Sequence, residues 1–179
     1  KDETSWRADR GIGRRNQPSV AVVQFEAPLD FPADTQLKIA LRMDERVGRI
    51  FIEQGETDRY FASGWEVRTR RDFAAALVEL AAKGIVVTPS TEAERALRHV
   101  VDMVWFADPA GNRHELAYGF VSSFARFVSP QAVPSFVTSD LGYGHVVLPA
   151  PQIDECRDFL IDVLGLGVSD FMVHRPLGP

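Results

Sequence analysis

Two segments of this chain repeat one pattern, in which a short strand that contains a glycine is followed by a turn and an amphipathic helix. The first segment begins at Gly64-Trp65-Glu66-Val67 and continues into a helix over residues 70–83. The second begins at Gly144-His145-Val146-Val147 and continues into a helix over residues 154–164. A supersecondary unit that occurs twice predicts a fold built from copies of one module. Only the second copy has an imidazole where the first has an indole, which predicts chemistry in the second copy and support from the first.

The residues between the two copies complete the first module. A hairpin is predicted over residues 37–43 and 48–53, where apolar side chains alternate. After the first helix, the pattern predicts a strand over 85–88, a short exposed helix over 91–98, a buried strand over 100–107 and a strand over 113–118. The fold class is therefore α+β, with repeated β-α-β-β-β modules whose mixed sheets curl into cups, and with an incomplete second domain.

Composition limits the kinds of function. The chain has 179 residues, 45% of them hydrophobic, and a net charge of −5, which argues against a general affinity for nucleic acid. No apolar run is long enough to span a membrane, and the polar N-terminus predicts no signal peptide. The single cysteine, Cys156, cannot form an internal disulfide. We therefore expect a cytoplasmic protein.

Several linked motifs resemble the type I extradiol dioxygenases of the vicinal oxygen chelate superfamily. The resemblance covers residues 37–171, and motifs in the right order are more specific than any single motif. The motifs that carry it are residues 41–46 with Arg49-Ile50, residues 64–67, residues 106–116 with Tyr118-Gly119, residues 127–130, residues 136–138, residues 142–148 and residues 163–170.

The resemblance implies four segments. They are an atypical, partly disordered segment over residues 1–36, with one short strand at residues 20–23; a supporting N-terminal-type domain over 37–126; a linker over 127–142; and the start of a catalytic-type domain over 143–179. We expect the chain to be a truncated member, because the first strand-helix unit of the supporting domain is not recognisable in it.

The family implies an Fe(II)-dependent enzyme of aromatic hydrocarbon catabolism, which cleaves the ring of a catechol, aromatic or steroid-derived, next to its hydroxyls with dioxygen. Its iron is held by two histidines and one carboxylate, which leave positions open for the diol and for dioxygen. His145 stands where such enzymes place the first metal histidine, and Val146 and Val147 stand near the pocket for the ring. The second histidine and the carboxylate are expected beyond residue 179, and no catalytic residue is assigned.

Other candidate residues receive structural interpretations. Glu115 occupies the place of a metal-binding carboxylate, but its partner position is the apolar Trp65, so a vestigial, structural or surface role is expected. His99 is expected to be exposed, and at least one of Arg113 and His114 is expected to face solvent. His174 lies beyond the second helix, and Cys156 is not expected to act as a nucleophile because acidic residues surround it.

Two alternatives stay open at this stage. One is a metal-dependent lyase or isomerase of the glyoxalase type, which would use a histidine and a glutamate from each of two modules. The other is a non-catalytic module that binds a small molecule. The expected partners are a small aromatic diol and dioxygen, without nucleic acid or membrane. A homo-oligomer is also expected, because the apolar face of the second helix needs cover.

Overall fold

The computed structural model of this chain describes residues 20–25, 38–129, 135–138 and 142–170. These residues form one mixed sheet and three helices. In chain order the elements are β1 (Val20–Phe25), β2 (Lys38–Leu41), β3 (Ile50–Gln54), β4 (Arg59–Val67), α1 (Arg70–Ala82), β5 (Thr88–Pro89), α2 (Glu92–Arg98), β6 (Asp102–Ala107), β7 (Arg113–Tyr118) and α3 (Ile153–Asp162).

The sheet has two halves with the same pairing pattern. Its strand order is β2-β3-β1-β4-β7-β6-β5. In each half the first strand runs parallel to the last strand, β1 with β3 and β4 with β7. The two first strands, β1 and β4, pair antiparallel at the centre. This repeat confirms the predicted fold class, and β4 to β7 with α1 form a β-α-β-β-β module.

Helix α1 shows why the local predictions succeed. Its N-cap, Thr69, accepts a hydrogen bond from the Asp72 backbone and the Asp72 side chain accepts one in return, so donors that a helix start leaves free are satisfied. Phe73 and Leu80 lie on the buried face. The helix ends before Gly84, whose φ of +72° suits a residue without Cβ.

Residues 20–25 belong to the sheet, and their placement differs from the expectation for the first 36 residues. The short strand predicted at residue 20 is confirmed, but it lies between β3 and β4 instead of outside the supporting domain. Its backbone is needed there because β4 otherwise has a free edge. For the other residues of this segment the predicted boundary stays a prediction.

The second copy of the repeat is only partly formed. Helix α3 matches the predicted helix over 154–164 within two residues. The strand predicted from Gly144 to Leu148 is wrong for the described residues, because 144–150 are neither helix nor strand. A strand needs a hydrogen-bonded neighbour, and none of the described strands pairs with this segment.

The apolar face of α3 is covered by the chain itself. Phe159, Val163 and Leu164 are buried in one cluster with Trp65, Leu80, Phe106 and Leu116. Self-association is therefore not needed to cover this face. The expectation of a homo-oligomer rested on an uncovered apolar face of the second helix, and that premise is wrong. Among the described helices, none is both long and apolar enough to cross a membrane.

Candidate functional site

His145 lies on an irregular segment between residues 142 and 153. Its side chain is exposed, Val146 is half-buried and Val147 is 85% exposed. In the described part of the chain, no three histidine, cysteine, aspartate or glutamate side chains lie together as a metal-binding group. The structure thus does not bring His145 together with further ligands, and the assignments of His145, Val146 and Val147 stay predictions.

Trp65 and Glu115 lie on opposite faces of the sheet. Trp65 is directly across from Leu116, and Gly64 is directly across from Glu115. We call the face with Trp65 and Leu116 the helix face, since α1 and α3 cover it, and the face with Glu115 the cup face. The expectation that Trp65 stands opposite Glu115 is wrong by one residue of register, because neighbouring residues of a strand point to opposite faces.

Glu115 is held by two arginines on the cup face. Arg98 Nε donates to Glu115 Oε2 at 2.9 Å, and Arg113 Nε donates to Glu115 Oε1 at 2.9 Å. Arg98 also reaches Glu53 at 3.4 Å, and Arg113 reaches Glu94 at 2.8 Å. Glu115 is 2% exposed and Arg98 4%, so this is a buried ion-pair network. The carboxylate therefore has a structural role, and a surface role is wrong.

The charge balance of the network affects Arg98 itself. Burial acts to lower the pKa of Arg98, but the neighbouring Glu115 carboxylate and then Glu53 raise it above its usual range. The guanidinium also lies over the Phe51 ring, 5.6 Å from its centroid. Arg98 is thus a permanent cation whose guanidinium group contacts the carboxylate oxygens of Glu115. While Arg98 is there, Glu115 has no free oxygen for a metal.

His114 is part of a polar chain on the helix face. Its Nδ1 accepts from Trp65 Nε1 at 3.1 Å, so the neutral ring carries its proton on Nε2. That atom faces Asp108 Oδ2 at 3.6 Å. His114 is fully buried and Arg113 is 17% exposed in its side chain. The expectation that one of them faces solvent is wrong, because both faces of β7 are covered.

Asp108 organises the turn before β7. It is buried and accepts from the backbone N–H groups of Ala110 and Asn112 and from Asn112 Nδ2. Burial acts to raise the pKa of Asp108, but the His114 imidazole and the Asn112 donors hold it below its usual value of 3.8. Asp108 lies between the strands predicted over 100–107 and 113–118, and the sequence pattern gave no sign of its contact with His114.

The stability of the protein is expected to depend on Asp108 below pH 4. Because the folded-state pKa is lowered, the charged carboxylate stabilises the fold above its unfolded-state pKa, and this contribution is lost as pH falls through the folded-state pKa. Asp108→Asn should therefore cost about 1–3 kcal/mol near neutral pH and progressively less in acid.

Urea denaturation of both proteins between pH 7 and pH 2.5 measures this difference. Asp44 and Glu94, whose pKa values are also lowered, titrate in both proteins and cancel in the comparison. A difference in unfolding free energy that stays constant over the whole range would contradict the assignment.

The remaining candidates from the sequence are two histidines and the single cysteine. His99 is exposed, as expected, and ends α2 with φ of +53°. Cys156 is buried, and burial and then the charge of Asp108 raise the pKa of its thiol, which disfavours the thiolate. His174 lies outside the described residues.

A polar cleft of about 420 Å³ lies elsewhere, and residues from 43–49, 122–127 and 135–138 line it. Arg46, Arg49 and Asp44 line it, and Arg49 is paired with Asp44 at 2.7 Å. None of its lining residues belongs to 142–170, so it does not coincide with the predicted metal position.

Comparison with known proteins gives two kinds of relatives. Biphenyl-2,3-diol 1,2-dioxygenase of Paraburkholderia xenovorans (strain LB400) is 35% identical over 139 residues, which are 77% of this chain and 46% of that protein. An iron-dependent extradiol dioxygenase of Rhodococcus jostii (strain RHA1) is 36% identical over 136 residues, 76% of this chain and 45% of that protein. The crystal structure of a catechol 2,3-dioxygenase superposes with a TM-score of 0.73 at 22% identity, covering 84% of this chain and 55% of that one. No protein-family model matches the chain.

The fold, with its repeated modules in a mixed sheet, is that of the vicinal oxygen chelate superfamily. Over about three quarters of its own length, the chain is similar to proteins named as extradiol dioxygenases. The chain spans about half the length of the curated relatives it matches.

An iron centre of this family does not fit the described residues alone. Such a centre needs two histidines and a carboxylate on one metal. His145 would supply one imidazole, and the buried Glu115 is already bound by two guanidinium groups. The described part of the chain therefore holds no complete set of these three ligands.

Proposed function

We propose that this chain is part of an Fe(II)-dependent extradiol dioxygenase, which opens the ring of a catechol, an aromatic or steroid-derived diol, next to its hydroxyls with dioxygen. Residues 20–25 and 37–126 act as the supporting domain, 127–142 as the linker and 143–179 as the start of the catalytic domain. The observation that supports this most is the 35–36% identity to relatives named as dioxygenases of this kind.

Each proposed site residue has a limited role. His145 contributes one neutral imidazole ligand to the iron, and its exposure leaves it accessible to a metal. Val146 and Val147 form an apolar wall against the substrate ring, and the exposure of Val147 leaves it free for that contact. The described residues do not complete the ligand set, so no catalytic step is assigned to this part of the chain.

The pairing of Glu115 argues against a glyoxalase-type lyase or isomerase. That enzyme needs a free glutamate from each module, and here Arg98 and Arg113 occupy both oxygens of the carboxylate. A non-catalytic binding module is the second candidate. It is supported by the lack of a three-residue metal group in the parts of the chain that the structure describes.

Retention of iron in the presence of a diol tests the proposal. A catecholate binds one metal through two adjacent oxygens, so it can fill positions that the chain leaves open. Anaerobic gel filtration after incubation with Fe(II) is expected to leave little iron on the chain alone and more in the presence of catechol. Resorcinol, whose hydroxyls are not adjacent, is the matched control and should have no effect.

The two candidates give different results in this experiment. Catechol-dependent iron that is absent in His145→Ala supports the dioxygenase assignment. Catechol that binds without iron, equally in both proteins, would favour the non-catalytic module. A cytoplasmic location and self-association stay predictions from the sequence, and sedimentation at micromolar concentration tests the second of them.

A further inference from the structure

The turn over residues 108–112 contacts the segment that carries His145. Asn112 Nδ2 donates to Asp108 Oδ2 at 2.8 Å and also to the carbonyl oxygen of Pro149 at 2.8 Å. Both hydrogens of this amide group therefore have acceptors. Asp108 also accepts from the Asn112 backbone N–H at 2.8 Å, so it holds Asn112 through both its backbone and its side chain.

Helix α3 lies against the same part of the molecule. The Phe159 ring lies 5.8 Å from the His114 ring and 6.2 Å from the Phe106 ring, between centroids. Cys156 is 3% exposed, and the charge of Asp108 acts on its thiol. Lys83 on the end of α1 donates to the carbonyl of Asp162 at the end of α3. The segment is thus fixed at its entry by Asn112 and along its helix by apolar packing.

We propose that Asn112 is a positioning residue for the His145 segment. Pro149 lies four residues after His145 on a stretch without regular secondary structure. The hydrogen bond from Asn112 joins this stretch to the supporting domain. The role toward the metal rests on the proposed function of His145. The docking of residues 142–170 on the turn does not depend on it.

The single cysteine of the chain reports on this docking. Cys156 is buried in the docked state, so a thiol reagent modifies it only when α3 opens. Asn112→Asp removes both amide donors and places a second carboxylate beside Asp108. We expect the rate of Cys156 modification under native conditions to rise about tenfold or more. Asn112→Ala, which adds no charge, should show a smaller rise in the same direction.

Thr91→Ala is the matched control. Thr91 accepts a hydrogen bond from the Glu94 backbone at the start of α2, so its loss weakens the fold at a site away from α3. In Thr91→Ala, the rate of Cys156 modification should rise no more than the loss of global stability, measured from the urea midpoint, accounts for. The imidazole resonances of His145 should shift in both Asn112 variants and stay in place in Thr91→Ala.

Two outcomes separate this proposal from the proposed function. If Cys156 reacts equally fast in Asn112→Asp, Asn112→Ala and Thr91→Ala at equal global stability, the positioning role is wrong, whatever iron does. If Cys156 responds to the Asn112 variants but His145→Ala keeps catechol-dependent iron, the docking stands and the dioxygenase assignment fails.

Discussion

Arg98→Ala is expected to destabilise the protein by about 3–5 kcal/mol, the largest change in stability that we predict for a single side chain. The substitution leaves the buried carboxylate of Glu115 with only Arg113 as a cationic partner and removes the partner of Glu53. It also removes the guanidinium that packs over Phe51. Urea denaturation followed by circular dichroism measures the effect.

Two further variants test the cause. Arg157 pairs with Asp154 and Asp158 on the exposed side of α3, and Arg157→Ala should leave the urea midpoint nearly unchanged. Arg98→Met combined with Glu115→Gln should recover part of the loss, because the buried carboxylate of Glu115 is neutralised together with the cation that it pairs with. Additive losses in the double variant would show that unpaired charge is not the reason.

His145→Ala is expected to abolish any iron-dependent cleavage of catechols and to leave the fold intact. The side chain is exposed, so its loss creates no cavity, and it is the one described residue to which we assign a metal-ligand role. Because the described residues hold no complete set of three ligands, we also expect the wild-type chain to bind Fe(II) weakly and to turn over catechols slowly or not at all. Anaerobic loading with Fe(II) and a panel of catechols measure both properties.

His99→Ala is the control for this variant, since His99 is also exposed. It should keep whatever iron binding and turnover the wild-type chain has. Tight, stoichiometric iron with rapid cleavage by the wild-type chain would show that the other ligands lie within residues 1–179. Unchanged turnover in His145→Ala would remove the dioxygenase assignment.

The elements that could be predicted from the sequence depend on nearby residues. Helix α1 has its cap at Thr69 and its terminating glycine at Gly84, so all of its signals lie within one short stretch. The hairpin of β2 and β3 depends on alternation across one turn in the same way. The linked motifs gave the superfamily because they occur in a fixed order along the chain.

The features that could not be predicted depend on residues far apart in the sequence. Arg98 ends a helix that the sequence pattern predicts to be exposed, and its partners Glu115 and Glu53 lie 17 and 45 residues away. The burial of His114 depends on the docking of Phe159 from α3, which alternation along β7 does not reveal. The strand expected after Gly144 failed for the same reason, because a strand pattern does not supply the neighbouring strand.

The central claim is that His145 is the metal ligand contributed by this chain, and the imidazole resonances of its four histidines test it most directly. Anaerobic titration with paramagnetic Fe(II) in the presence of catechol broadens the resonances of side chains close to the metal, and single His→Ala variants assign them. We predict that His145 broadens at the lowest iron concentration, while His99 and the buried His114 stay sharp. Broadening at another histidine first, with His145 unaffected, would contradict the account.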